Sequence, residues 1–351
     1  MEQDFNVSKL REMCYRQSKV PGEFMLQLRC PGNYIESKWL TMFQHICDTW
    51  GNGHFHLGTR MMACFPGIHG EDIPEINKYI APYLEETDVE GCGVEMDTDN
   101  GYPYIGPRNI SACIGGEHCI KANINTQELA RKIEPLVYPS PYHVKINIAG
   151  CPNDCNMAQF HDIGIVGVTL PVYDQDRCIG CGACVRKCEK AATRVLSMNS
   201  ENKVDKDLCC CVGCGECITA CPTRAWSRQN RVFYKMYIGG RSGKQSPRMG
   251  KLFANWLSED ALLGIIGNWT KFAKFVLGDA KPYLHGGHLI DRVGYQVFKE
   301  HILEGVELNE EALIADEVYW HEQEYRSNFH LRPIGDHPTV YQTRVDIDSR
   351  S

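Results

Sequence analysis

The sequence predicts an α+β protein of two or three units, with a small cysteine-rich module inserted in its middle. Three observations predict this. The 351 residues exceed what one hydrophobic core usually organises. Apolar residues recur at strand and helix periods, but without the regular strand-helix alternation of a parallel sheet. Between about 171 and 227 that periodicity gives way to two copies of one cysteine pattern, CIGCGACVRKC (178–188) and CVGCGECITAC (211–221).

The elements follow in chain order. GEFMLQLR (22–29) and HFHLGT (54–59) read as strands bracketing a helix near 36–49, in which Leu40, Phe43, Ile46 and Cys47 fall at helical spacing. A second helix near 71–85 lines up Ile73, Ile76, Ile80 and Leu84, and residues 1–95 form one α+β half-domain. Cysteine-bearing loops, a helix near 126–136 and strands near 143–148 and 163–168 come next. After the module, at 228, the apolar FYKMYIGG precedes helices near 249–257 and 259–276; Ser258 caps the latter, with Glu259 and Asp260 in its first turn. Residues 96–170 and 228–335 therefore make one domain interrupted by 171–227, and 336–351 a tail. ALLGIIGNWTKFAKFVLG, the most apolar stretch, carries Lys271 and Lys274 and is too short to span a bilayer. The opening lacks the basic and apolar regions of a signal peptide, so a cytoplasmic location without membrane contact is expected. A net charge of -7 offers no basic footprint for nucleic acid.

Nineteen cysteines in a reducing compartment point to metal ligation rather than disulfides. Each repeat has the C-x2-C-x2-C-x3-C spacing that wraps a four-iron cluster, and in two-cluster ferredoxins the fourth cysteine crosses to the other cluster. Cys178, Cys181, Cys184 and Cys221 then hold one cluster, and Cys211, Cys214, Cys217 and Cys188 the other. Zinc knuckles are the competing reading, but eight cysteines in this order over-specify them. Cys209 and Cys210 fit no ligand register. Cys14, Cys30, Cys47, Cys64 and Cys92 have no ligand spacing and read as small buried hydrophobes.

Two further pairs remain: Cys113 and Cys119 in GPRNISACIGGEHC, and Cys151 and Cys155 in AGCPNDC. C-x5-C followed by C-x3-C, with R-N ahead of the first cysteine, resembles the sirohaem and iron-sulfur site of the sulfite and nitrite reductase family. The inserted module narrows the likeness to its dissimilatory and anaerobic branches. YRQSKVPGEFML, TWGNGHFHL, VYPSPYHVK, PRMGKLF and GHLIDRVGY extend it over roughly residues 15 to 330. The resemblance implies a ferredoxin-like half-domain (1–95), a sirohaem/[4Fe-4S] domain (96–170 and 228–335) and an inserted bacterial-type 2[4Fe-4S] ferredoxin domain (171–227). It implies three [4Fe-4S] clusters, with Cys155 joining the third to sirohaem.

Reduction of sulfite to sulfide takes six electrons at one sulfur, and the anion calls for a cationic pocket. The resemblance assigns that pocket to Arg60, Arg108, Lys145 and His143, the last standing where the family has a lysine. Alternation supports part of this independently: Val144, Ile146 and Ile148 share one strand face, so His143 and Lys145 share the other. A histidine there is also suited to delivering protons. Gly58 and Met61 depart from the family's threonine and glutamine, while Thr59 remains. Arg29, Gly239, Gly240, Arg241 and Lys244 are candidates for the carboxylates of sirohaem. His285 and His288 in LHGGH lack a zinc partner at suitable spacing and read as structural.

No G-x-G-x-x-G follows a strand, so nicotinamide should bind elsewhere. The resemblance implies an iron-sulfur subunit and a flavin-bearing subunit that draw electrons from NADH. The alternatives are nitrite reduction, a sirohaem-free electron carrier, and a non-catalytic scaffold; neither of the last two needs a cationic pocket.

Overall fold

The computed structural model describes residues 7–95, 101–102, 109–191, 194–207, 210–228, 231–242, 247–279 and 284–320. Arg108, Lys244, Cys209 and the tail lie outside them.

The first unit contains α1 (Val7–Glu12), β1 (Tyr15–Gln17), β2 (Glu23–Leu28), α2 (Leu40–Thr49), β3 (His56–Leu57), β4 (Ala63–His69), α3 (Ile73–Leu84) and the short α4 (Glu90–Cys92). Its strands form an antiparallel sheet in the order β1-β2-β4-β3. β2 alternates as its sequence demands, with Phe24, Leu26 and Leu28 buried. Against that face pack Phe43, Ile46 and Cys47 of α2 and Ile73, Ile76, Ile80 and Leu84 of α3. Leu40 is exposed, and Met42 takes its place in the core. The expected strand 54–59 shrinks to two exposed residues. Its neighbour β4 carries Pro66 and Gly67, which hide it from a propensity reading, yet it pairs with both β2 and β3. Cys14, Cys30, Cys47 and Cys64 belong to this core. Burial raises the thiol of Cys14 to about 12 and that of Cys30 to about 11, which keeps both protonated.

The second unit opens with β5 (Ser111–Ala112), α5 (Thr126–Val137), β6 (Ile146–Ala149) and β7 (Ile163–Val168). The chain then enters β8 (Pro171–Tyr173), α6 (Ala183–Ala191), β9 (Leu196–Met198), β10 (Val204–Lys206), α7 (Glu216–Ala220) and β11 (Trp226–Arg228). Pairing of β8 with β11 brings the two ends of this excursion together. The chain returns through β12 (Phe233–Ile238), β13 (Lys251–Leu257), α8 (Glu259–Gly267), α9 (Trp269–Leu277), α10 (Gly286–Val293), α11 (Tyr295–Leu303) and β14 (Leu313–Ile314). The large sheet runs β14-β13-β12-β7-β6-β5, parallel across β5, β6 and β7 and antiparallel elsewhere. Strands before and after the excursion are thus adjacent, β7 lying against β12 along its whole length.

Two sequence expectations fail here, each for a physical reason. Residues 249–257, expected as helix, form β13. Irregular pairing with β12 breaks the two-residue alternation. Phe253, Ala254, Trp256 and Leu257 are all buried as a result, and that spacing imitates a helical stripe. The expected helix 259–276 is two helices broken at Asn268, whose amide donates to the carbonyls of Ile302 (3.2 Å) and Glu304 (2.9 Å). Ser258 does cap α8, its hydroxyl accepting from the Ala261 N–H at 3.3 Å.

Candidate active site

Strands β6 and β7 set the site, because the connection between them carries two of the four remaining thiols. Their loop is braced from within. Asn147 donates to the Asn156 carbonyl and accepts from the Asn156 amide, both at 2.9 Å, and Asp154 Oδ1 accepts the Ala158 N–H at 2.7 Å. Asp154 and Met157 take left-handed conformations, with φ of 46° and 54°. From β5 comes Cys113, whose Sγ accepts the Gly150 N–H at 3.0 Å. Cys151 is pushed up by burial and then by the neighbouring Cys119, Cys113 and Cys155. Four thiols thus converge, with Cys155 exposed and the other three half-buried. Such a donor set stays together as thiolates only when a cationic cluster neutralises it, and it fits an iron-sulfur centre.

The thiols of the excursion lie close enough to feel one another's charge, Cys217 being near Cys184 as well as Cys188. Cys188 lies within charge range of Cys211, Cys214 and Cys217, while Cys221 neighbours Cys184. The Cys211–Cys217 loop stands on the large sheet. Thr169 N–H donates to the Gly213 carbonyl at 3.0 Å, and the Asn123 amide reaches the carbonyls of Gly167 and Gly213. Gly213 has φ +70°, and a Cβ there would meet Val168 at 2.8 Å, so the close approach needs glycine. Lys121 pairs with Glu216 and feels the charges of both Cys151 and Cys214, which sets it between this loop and the four-thiol site. Cys181 and Ile179 of the other set are exposed, Ile179 by 67%.

Facing the thiol loop is a cationic cluster. Arg60 and Lys145 are charge neighbours of both His143 and His161. Arg60 arrives from the first unit, on the turn between β3 and β4, where the Asn109 amide donates to its carbonyl at 2.7 Å. Thr59 beside it is exposed. Lys145 and Asp162 stand just before β6 and β7, and the Lys145 N–H donates to Asp162 Oδ2 at 2.8 Å. His143 is only 5% exposed. Burial, and then Arg60, His285 and Lys145, push its pKa down to about 3 against the opposing pull of Asp162.

Gly239 and Gly240 bring β12 against this loop: Gly239 N–H donates to the Asp162 carbonyl at 2.9 Å. A Cβ on Gly240 would lie 2.3 Å from the Gln159 carbonyl oxygen. Arg241 pairs with Asp291 at 2.9 Å and meets His288 Nδ1 at 3.1 Å.

Arg29 departs from expectation. It is buried, with Nη1 at 2.6 Å from Asp88 and Nη2 at 3.0 Å from Glu134, and it stacks over Tyr138 at 3.9 Å. Two carboxylates engage its fork, so it serves to join α5 to the first unit rather than to meet a cofactor. A cavity of about 320 Å³ beside this triad, lined by Tyr34, Trp39, Thr87, Arg131 and Glu134 among others, contains none of the site thiols or pocket cations. The sequence reading missed Asp162 and His161 and set His285 aside. The His-Asp pair immediately ahead of the apolar run of β7 was the available signal for the first two.

A model of the nitrite and sulphite reductase 4Fe-4S domain matches residues 104–310, and one of the nitrite/sulfite reductase ferredoxin-like half domain matches residues 16–83. An anaerobic sulfite reductase subunit from Salmonella typhimurium is 48% identical over 337 residues, covering 95% of this chain and 100% of the relative. The coenzyme F420-dependent sulfite reductase of Methanocaldococcus jannaschii is 35% identical over 290 residues, which cover 82% of this chain and 43% of that protein. Among solved structures, dissimilatory sulfite reductase I aligns with a TM-score of 0.56 at 17% identity, over 86% of this chain and 74% of that one. The NirA protein of Mycobacterium tuberculosis aligns with a TM-score of 0.50 at 13% identity, over 84% and 44%. At these identities the structural likeness is one of fold.

Proposed function

Since this chain belongs to the nitrite and sulphite reductase family, we propose that it is the catalytic subunit of an anaerobic sulfite reductase, reducing sulfite to sulfide by six electrons. One observation carries the reading. Lys145 and Asp162 stand immediately before the two parallel strands whose connecting loop holds Cys151 and Cys155, and His161 at the end of that loop feels the charges of Arg60 and Lys145. Cys113, Cys119, Cys151 and Cys155 would hold a [4Fe-4S] cluster, with Cys155 shared with sirohaem. When bound, sirohaem supplies an open iron position and a conjugated ring through which electrons reach the sulfur.

The residues of the chain do the rest. Arg60 and Lys145, with Arg108 by motif, attract the anion; one positive charge near 4 Å is worth about 4 kcal/mol at an effective dielectric of about 20. The same charges stabilise oxygen as it leaves. Arg241, Gly239 and Gly240 form the wall beside the loop, and Lys244 and Thr59 join them by resemblance.

Electron flow follows from the order of the thiol sets. The set of Cys178, Cys181, Cys184 and Cys221, which reaches the surface at Cys181, receives electrons from a partner. The set of Cys211, Cys214, Cys217 and Cys188, standing on β7 near Lys121, passes them to the Cys151 site. An iron-sulfur subunit and a flavin subunit using NADH are the proposed donors. No described helix is long and apolar enough to cross a membrane.

Anaerobic purification tests this. Sirohaem bands with about thirteen irons per chain are expected, and sulfite turnover should exceed nitrite turnover measured side by side. Iron without those bands would leave only an electron carrier.

A further inference from the structure

His143, Asp162 and His285 come from three separate segments: the approach to β6, the residue before β7 and the N-cap of α10. One ring nitrogen from each histidine and one carboxylate oxygen all lie within 4.8 Å of one another. Asp162 is held by two backbone amides, Gly286 N–H on Oδ1 at 2.7 Å and Lys145 N–H on Oδ2 at 2.8 Å. His285 Nδ1 stands 3.3 Å from Oδ1, and the His143 and His285 rings meet edge to face at 5.6 Å. Beyond them His288 lies 6.4 Å from His285, centroid to centroid, beside Arg241 and the exposed Asp291. The series leads from the surface of α10 to the buried His143.

Two histidines and an aspartate can also hold a metal ion. Here Arg60, Lys145, Arg241 and Arg248 crowd the same region, and their charge opposes a dication. The surroundings suit protons better. On the reading of the chain as a sulfite reductase, we propose that His285 and Asp162 pass protons to His143, which delivers them to the oxygens leaving sulfite.

The balance is closed by the reaction itself. Bisulfite, six electrons and six protons give hydrosulfide and three waters, so two protons must reach each departing oxygen. The electrons come from the clusters. In each transfer His143, once charged, gives one proton to an oxygen of the bound anion, and the second proton to reach an oxygen accompanies the breaking of its bond to sulfur. The neutral ring then takes a proton crossing Asp162 from His285, which is recharged from solvent by way of His288. Asp162 suits the central place. Burial would raise its pKa, but His285, His143 and the Lys145 amide outweigh that and leave it ionised at rest, able to take a proton from His285 on one oxygen as the other releases one toward His143. His143, whose charged form burial, Arg60 and Lys145 disfavour, releases a proton readily once it has received one. His161, Arg241, Arg248, His288 and Asp291 are the remaining charged or titratable groups around the series. His285 and Asp162 act through His143 and are positioning residues.

The test uses holoenzyme with reduced methyl viologen as donor, comparing wild type with His285→Ala and the bulkier His285→Gln. Turnover should fall about 10- to 100-fold in both variants. Its pH profile should also change. The variants should lose rate more steeply than the wild type as the pH rises and hydronium is depleted. Added imidazole should restore part of the His285→Ala rate. Sulfite binding to the resting enzyme, read from the visible spectrum, should be unchanged, because Arg60 and Lys145 are intact. A wild-type pH profile in both variants overturns the relay. So does loss of sulfite binding in step with rate, which marks a collapsed pocket, or one zinc per wild-type chain that Asp162→Asn removes. A wild type without bands or turnover overturns the sulfite reductase reading, and the relay with it; active wild type beside unaltered variants overturns the relay alone.

Discussion

Replacing Cys155 by serine should lower sulfite turnover by at least about 10³-fold, a barrier increase of about 4 kcal/mol. The reasoning is chemical. A thiolate forms near neutral pH when metal or cationic neighbours favour it, whereas a serine hydroxyl remains protonated and is a poor ligand for iron. The fold should survive, because Cys155 is exposed and the loop is framed by Asn147, Asn156 and Asp154 rather than by the thiol. The variant should therefore be soluble and keep the irons of the module at 171–227, with altered or absent sirohaem bands. Turnover within about tenfold of wild type would remove Cys155 from the electron path.

Replacing Lys145 by methionine should lower kcat/KM for sulfite by about 10²- to 10³-fold with little change in the spectrum. Methionine keeps most of the apolar stem and deletes the charge. The backbone N–H of Lys145, which holds Asp162, is untouched by the change, so the effect isolates the ammonium from the architecture. Arg60→Gln should behave alike. Both charges face His143 and His161, so the double variant should lose less than the product of the two single losses. An unchanged kcat/KM in Lys145→Met would place the substrate elsewhere.

Much of this was legible in the sequence because ligand spacing and amphipathic period are local properties. The two cysteine repeats, the helix near 126–136 and the Ser258 cap could each be read from short windows. What was not legible depends on distant partners. β13 looked helical because its bulge, imposed by pairing with β12, buries residues at helical spacing. β4 was missed because Pro66 and Gly67 weaken its local signal, while β2 and β3 supply the pairing. Arg29 looked like a cofactor contact because Asp88 and Glu134 are remote in sequence. His285 looked structural for the same reason: its neighbours Asp162 and His143 lie far up the chain.

A density map of the anaerobically prepared holoenzyme tests the central claim most directly. The account predicts Cys155 Sγ bonded both to a four-iron cluster, alongside Cys113, Cys119 and Cys151, and to the iron of a macrocycle whose other face opens toward Arg60, His143 and Lys145. A Cys155 sulfur distant from any macrocycle, with the cations turned to solvent, would contradict it.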